Sequence, residues 1–383
     1  MRNWTVALCA LLLAACATVP GPEVADGLFN DRLFLAPSER ISAEDVFALS
    51  EEMKRYVSVD IAAQLRSKGA RQGLVEALRK SGELKLDYDS VMTRNAAQAF
   101  AARSGNCLSL VIMTAAFAKQ LDLPVTYQSV LSSDTVSRSG NIQFFVGHVN
   151  LTLGERPKTL ILSRSRDDVM TIDFLPPQEA QALSTHVVDE ASIVAMYMNN
   201  RAAEALARGQ VDDAYWWARA AIGHERRFVS AYNTLGVVYH RHGNLAEAET
   251  VFTYALAREP GNIHVMSNLV RLLDQMGRTV EATALAAKLH RLDPRPAFSD
   301  FDRGMEALRD GHPATAKDLF AREVERDPHY HEFRFWLGVA YLGLGDVGLA
   351  QQQLALAREY ATTPKERDLY SAKLDRIRSG HLQ

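Results

Sequence analysis

From Ala214 onward the chain repeats itself every 34 residues: Ala214, Ala248, Ala282, Ala316 and Ala350 hold one position of the repeat, and Pro260, Pro294 and Pro328 hold another. A period of that size, kept in register without insertions, restricts the fold to stacked helix pairs whose apolar faces are buried only by the neighbouring pair. Small residues let the two helices of a pair approach closely, aromatic residues fill the space between them, and proline ends the second helix.

The best-formed unit carries Tyr232, Leu235, Gly236, Tyr239, Ala248, Phe252, Ala255 and Pro260, and it resembles the tetratricopeptide (TPR) pattern. The fifth unit repeats it with Trp336, Leu337, Gly338, Tyr341, Ala350 and Ala357. The first and third units depart from it, with Ala202 and Val270 in place of glycine and Arg226 in place of proline. Five units are expected over residues 195–364, closed by a capping helix and tail over 365–383. Arrays of this kind offer a surface to a peptide or protein partner, or brace an adjoining domain. Trp216 and Trp217 are neighbours in sequence and point in different directions on a helix, so at least one is expected to pack between helices. His240 and His242, like His329 and His331, are two apart and share no helix face; they read as solvated helix ends, not as a metal site.

At the other end, Arg2 precedes an apolar run from Val6 to Ala15. That run is long enough for a signal-peptide core and short for a bilayer span. It closes in Leu13-Ala14-Ala15-Cys16, which is similar to the bacterial lipobox. The similarity implies cleavage before Cys16, acylation of its sulfur and a lipid anchor in the membrane. With Ala17 after the cysteine it further implies the outer membrane of a bacterial envelope, facing the periplasm. Residues 1–15 are therefore expected to be a signal peptide, and 16–40, with proline and glycine, a tether. A net charge of −3 offers no basic footprint for nucleic acid. A hydrophobic share of 47% with 23% charged residues suits a packed globular protein.

Of the three cysteines, Cys9 falls in the leader and Cys16 at its boundary, which leaves Cys107. One such thiol supports neither a disulfide framework nor a cysteine zinc site. It lies in a second domain, residues 41–194. Ser42-Ala43-Glu44-Asp45 offers a capped helix start, followed by Val46, Phe47, Leu49 and Met53 at helical spacing, and Leu74, Val75 and Leu78 continue in that style. Ser104-Gly105-Asn106 supplies a tight turn, and Cys107 then opens a helix that is apolar nearly all round through Ala118, the mark of a buried central helix. The N-terminus of a helix favours thiolate over thiol, and its unpaired N–H groups suit an oxyanion. A structural cysteine packed as a small hydrophobe is the competing reading.

Residues 141–153 alternate as a strand, with Phe145, Val149, Leu151 and Leu153 on one side and His148, Asn150 and Thr152 on the other. Residues 169–174 alternate again and put Asp173 opposite Met170, Ile172 and Phe174. If the two strands are antiparallel neighbours, Asp173 orients His148, and His148 serves as base to Cys107. Asp167 and Asp168 are rivals for that role in a stretch that reads as a loop.

Gly105-Asn106-Cys107-Leu108-Ser109, Leu121-Asp122-Leu123-Pro124-Val125, Gly147-His148-Val149 and Ile172-Asp173 together resemble the transglutaminase-like superfamily over roughly residues 90–180. The resemblance implies an α+β papain/transglutaminase-like domain, followed here by an all-α TPR solenoid. It implies Cys107 as nucleophile, His148 as base and later acid, and Asp173 as its orienting carboxylate, in hydrolysis or transamidation through a thioester. Animal members use a tryptophan at the oxyanion, and Trp216, Trp217 and Trp336 all fall in the repeats, so Asn106, Tyr88 or a backbone N–H is expected there instead. That chemistry needs no metal or organic cofactor. The expected partners are a peptide, protein or peptidoglycan-derived acyl substrate and a protein on the TPR surface. The alternative is a non-catalytic TPR scaffold lipoprotein that assembles envelope proteins. The short connection over 191–195 is expected to hold the array against the domain, where Asn199 and Asn200 either wall the cleft or bridge helices.

Overall fold

The computed structural model describes residues 27–79, 86–89, 92–131, 135–139, 142–146, 148–154, 169–174 and 184–379. The signal peptide, Cys16, Gly147, Asp167 and Asp168 lie outside the described residues. The described chain is mostly helical, with a small sheet in its N-terminal half. None of its helices is long and apolar enough to cross a membrane.

The N-terminal half begins with α1 (Glu51–Arg55), α2 (Ala62–Lys68) and α3 (Ala70–Arg79). The helix expected from Ser42 is instead a single tight turn over Glu44–Val46. The first α-helix starts later because the Ser50 side chain accepts the Met53 N–H and nucleates it there. After β1 (Asp87–Tyr88) come α4 (Ala96–Ala102), β2 (Ser104–Gly105) and α5 (Cys107–Gln120). Every residue of α5 from Cys107 to Ala118 is buried, as an all-round apolar helix must be.

Strands β3 (Val125–Leu131), β6 (Val149–Leu153), β7 (Met170–Ile172) and β8 (Ser184–Val188) form an antiparallel sheet in the order β7-β6-β3-β8. The single strand expected over 141–153 is two. Its first half, β5 (Ile142–Val146), pairs in a separate hairpin with β4 (Thr135–Ser139), whereas β6 pairs with β3 and β7. Two different neighbours claim the two halves, and alternation alone does not reveal which neighbour a strand will have.

The array follows as α6 (Glu190–Ala207) and α7 (Val211–His224), α8 (Val229–His242) and α9 (Leu245–Arg258), α10 (Ile263–Gln275) and α11 (Thr279–Leu292), α12 (Ser299–Arg309) and α13 (Pro313–Arg326), and α14 (His331–Gly343) and α15 (Val347–Glu359), closed by α16 (Pro364–Arg378). The small residues act as the repeat requires: a Cβ on Gly236 would stand 2.4 Å from the Phe252 ring, so α8 and α9 touch only because none is there. Between the helices of each pair sits a glycine at positive φ, Gly209, Gly243, Gly277, Gly311 and Gly345, which repeats the 34-residue period at a backbone position that side chains resist. One apolar core runs from Leu28 through α5 and the sheet to Ala282 in α11, and the last two pairs have cores of their own.

Two expectations about the junctions change. Residues 191–195 are not a connection but part of α6, with Ile193, Val194 and Ala195 buried. The tether expected over 16–40 is, from residue 27 onward, a strap docked on the first repeats. Phe34 stacks on Tyr215 at 3.9 Å and Leu28 is buried. Tyr239 donates from its hydroxyl to the Leu28 carbonyl and accepts the Asn30 N–H, while Trp216 donates to the Leu35 carbonyl. Asp212 and Asp213 accept the Leu35 and Ser38 N–H groups. A proline- and glycine-containing composition suggests a linker, but aromatic side chains that bind its backbone decide otherwise. Trp217 is the buried one of the tryptophan pair, and Trp216 lies half-buried under the strap.

Candidate active site

The turn before Cys107 is built from several short pieces. Asn95 and Gln98 cap α4 reciprocally, and Arg103 ends it in the left-handed region at φ 52°. Strand β2 then pairs in parallel with β1, which sets half-buried Tyr88 opposite Gly105. Position 105 admits only glycine, since a Cβ would lie 2.6 Å from the Cβ of Ser109. Asn106 caps α5: its Oδ1 accepts the Ser109 N–H at 2.9 Å and the Ser109 hydroxyl at 2.7 Å, and its Nδ2 donates to Thr93 Oγ1 at 2.8 Å.

Both ends of the Asn106 amide serve the helix start, its Nδ2 spending one of its two N–H groups on Thr93. The N–H groups of Cys107 and Leu108, which precede the first intrahelical bond, are further donors there.

Cys107, His148 and Asp173 come together. His148 leads into β6, and its Nε2 lies 2.8 Å from Asp173 Oδ1. The Cys107 side chain lies near the same ring, close enough to favour its proton. With the carboxylate on Nε2, the proton of the neutral ring belongs on that nitrogen, leaving Nδ1 as the basic one. All three side chains are largely sequestered, Cys107 at 3% and His148 at 7% exposure. Burial works against a charged ring, but the hydrogen bond and charge of Asp173 and the neighbouring Cys107 side chain outweigh it, so His148 is held up at about 9.

The strand register explains why Asp173 rather than another carboxylate meets His148. Leu151 pairs with Ile172 across β6 and β7, so the next position beyond β7 falls beside Asn150. The Asn150 side chain donates to Asp173 Oδ2 at 2.9 Å, which fixes the carboxylate from its other side. Asn150 received no role from the sequence, although it lies two residues from His148 on the same strand face; that spacing was the available signal.

The paired histidines of the array have other duties. His240 bonds Gln275, His242 bonds Asn244, and His331 bonds the Tyr370 hydroxyl. Among the described residues no group of three or more His, Cys, Asp or Glu is placed to hold a metal ion.

Two tetratricopeptide repeat family models match the chain, one over residues 239–300 and the other over 199–263 and 301–364. Residues 199–364 are thus tetratricopeptide repeats, a fold that supports a protein or peptide partner in general. Similar solved structures include a thermophilic TPR protein of Thermus thermophilus, 20% identical, with 47% of this chain and 98% of that one covered at a TM-score of 0.31. Another is YrrB, described as a TPR protein with an unusual peptide-binding site, at 22% identity, 47% and 92% coverage and a TM-score of 0.25. A third is MamA of Desulfovibrio magneticus, at 17% identity, 45% and 96% coverage and a TM-score of 0.26. No curated protein matches the chain.

Proposed function

We propose that the protein is a cysteine acyl-transfer enzyme of transglutaminase-like type whose TPR array binds its substrate or a partner protein. The observation that carries the enzymatic part is His148 held between Asp173 and Cys107, with Cys107 at the N-terminus of a buried helix. In the proposed reaction the thiol proton already rests on His148, whose ring holds it up to about 9, and the sulfur attacks an acyl carbon as a thiolate. The tetrahedral oxyanion faces the N–H groups at the start of α5. His148 then returns the proton to the leaving amine, a thioester forms on Cys107, and water or an amine releases the acyl group. Incubation of the full chain with envelope peptides and intact-mass measurement is the test. An acyl adduct present on the wild type and lacking in Cys107→Ala supports the reading, and its absence across peptidoglycan peptides, protein amides and small esters counts against it.

A second reading has its own support. The family matches fall on the repeats, and of the two readings they favour a scaffold that assembles partner proteins. In that case the Cys107 domain is a structural base for the array and no acyl adduct forms.

We place the chain at the bacterial envelope, anchored through Cys16 on the outer membrane and facing the periplasm. Cys16→Ser should move it from the membrane fraction to the soluble one while its melting temperature stays unchanged, since the described contacts of the strap are made by Leu28, Asn30, Phe34, Leu35 and Ser38. Equal fractionation of the two forms would remove the anchor from this account.

A further inference from the structure

The segment before α4 is pinned from two sides. On one side Thr93 Oγ1 accepts from the Asn106 amide that caps the cysteine helix, and the Arg94 N–H donates to Ser109 Oγ at 2.8 Å. On the other side stands α6, the first helix of the array. Asn200 and Glu204 are one turn apart there and face the same residue: Asn200 Nδ2 donates to Thr93 Oγ1 at 3.2 Å, and Glu204 Oε1 accepts the Thr93 N–H at 2.6 Å. Arg201 continues the line outward, 3.8 Å from Glu204 and 2.8 Å from Glu39 of the strap. Thr93 at 1% and Asn106 at 6% exposure are closed to water, so neither group finds a substitute partner if one is lost. The Oδ1 of neighbouring Asn199 is buried with no hydrogen-bond partner, so of the asparagine pair only Asn200 makes the bridge.

We propose that Asn200 and Glu204 are positioning residues for Cys107, acting through Thr93 and Asn106, so that the first TPR helix is part of the nucleophile's mounting. The proposal rests on the reading of Cys107 and His148 as a reactive pair. The Asn106 amide must be held in one plane for its oxygen to cap Ser109, and Thr93 Oγ1 is the acceptor that fixes the other end. Without it the first turn of α5 loosens, and both the sulfur and the N–H groups beside it lose their aim at His148 and at a bound acyl group.

The test is the alkylation rate of Cys107 by iodoacetamide in the full chain across neutral to alkaline pH, with thermal melts run alongside. Thr93→Val, which keeps the shape and removes the hydroxyl, should slow alkylation about tenfold at neutral pH, the equivalent of one buried hydrogen bond. Thr93→Ser should restore it, as a purely steric role would not. Asn200→Ala, at a half-buried position that tolerates truncation, should slow it several-fold and provides the reading if Thr93→Val melts too low to assay. Wild-type rates and pH profile in Thr93→Val and Asn200→Ala, together with slow alkylation in His148→Ala, would overturn the positioning role and leave the thiol–imidazole pair standing. An unchanged rate in His148→Ala would overturn the pair and the positioning role together.

Discussion

His148→Ala should lower acyl transfer by about 10²–10⁴-fold, the range that a positioned proton carrier contributes. The loss should fall mainly on turnover, because the ring acts on the sulfur and on the leaving group and not on substrate capture. The same ring sets the alkaline limit. Burial alone would discharge it early, but Asp173 and Cys107 hold its proton up to about 9. Below that pH the imidazolium is available to protonate a leaving amine, and above it the acid is lost, so turnover should decline as pH rises through about 9. Initial rates across pH, with Cys107→Ala as the blank, measure both effects. A His148→Ala protein that is folded and turns over at the wild-type rate would make Cys107 a packing residue and leave the scaffold reading in possession.

A chain ended at residue 194 should lose cooperative unfolding altogether. Sequence spacing suggests a cut there between domain and array, with the small-molecule reactivity of Cys107 preserved. The cut instead falls inside α6, whose Tyr197, Met198, Ala202, Ala205 and Leu206 are buried in the same core as α5 and the sheet. Loss of each large buried side chain costs about 2–5 kcal/mol, and a few of them together exceed the roughly 5–15 kcal/mol that holds a domain folded. The cut also removes Asn200 and Glu204 from Thr93 and frees the strap at Glu39. Circular dichroism during a urea titration distinguishes the outcomes. A sigmoidal transition in the shortened chain, with Cys107 still alkylated at the full rate, would show that the first domain stands alone.

Much of the fold is legible in the sequence because the relevant information is local. A 34-residue period specifies a helix pair and its neighbour, and even the turn glycines at positive φ, which the alanine and proline pattern did not bring to notice, recur at that period. An apolar run such as Leu108–Ala118 has only one place to go, the interior. Alternation put His148 and Asp173 on polar faces of two strands, but the pairing of β6 with β7, which sets Asp173 beside Asn150 and within reach of His148, is not local information.

The contacts that sequence periodicity does not carry are those between distant segments. Asn200 meets Thr93 across 107 positions, and Tyr215 meets Asp31 across 184. A polar residue reads the same whether it faces water or another chain segment, so neither the strap nor the bridge leaves a local signature. Short-range patterns of apolar residues specify the helix pairs, the buried cysteine helix and the strands β6 and β7 that lie next to His148 and Asp173. It takes the packing of distant segments to lay Leu28–Glu39 on the array, to set Asn150 against Asp173 and to join the first helix of the array, through Thr93, to the cap of α5. Those outcomes depend on which polar groups find partners when the core closes, and that selection is made by the packing of the whole chain.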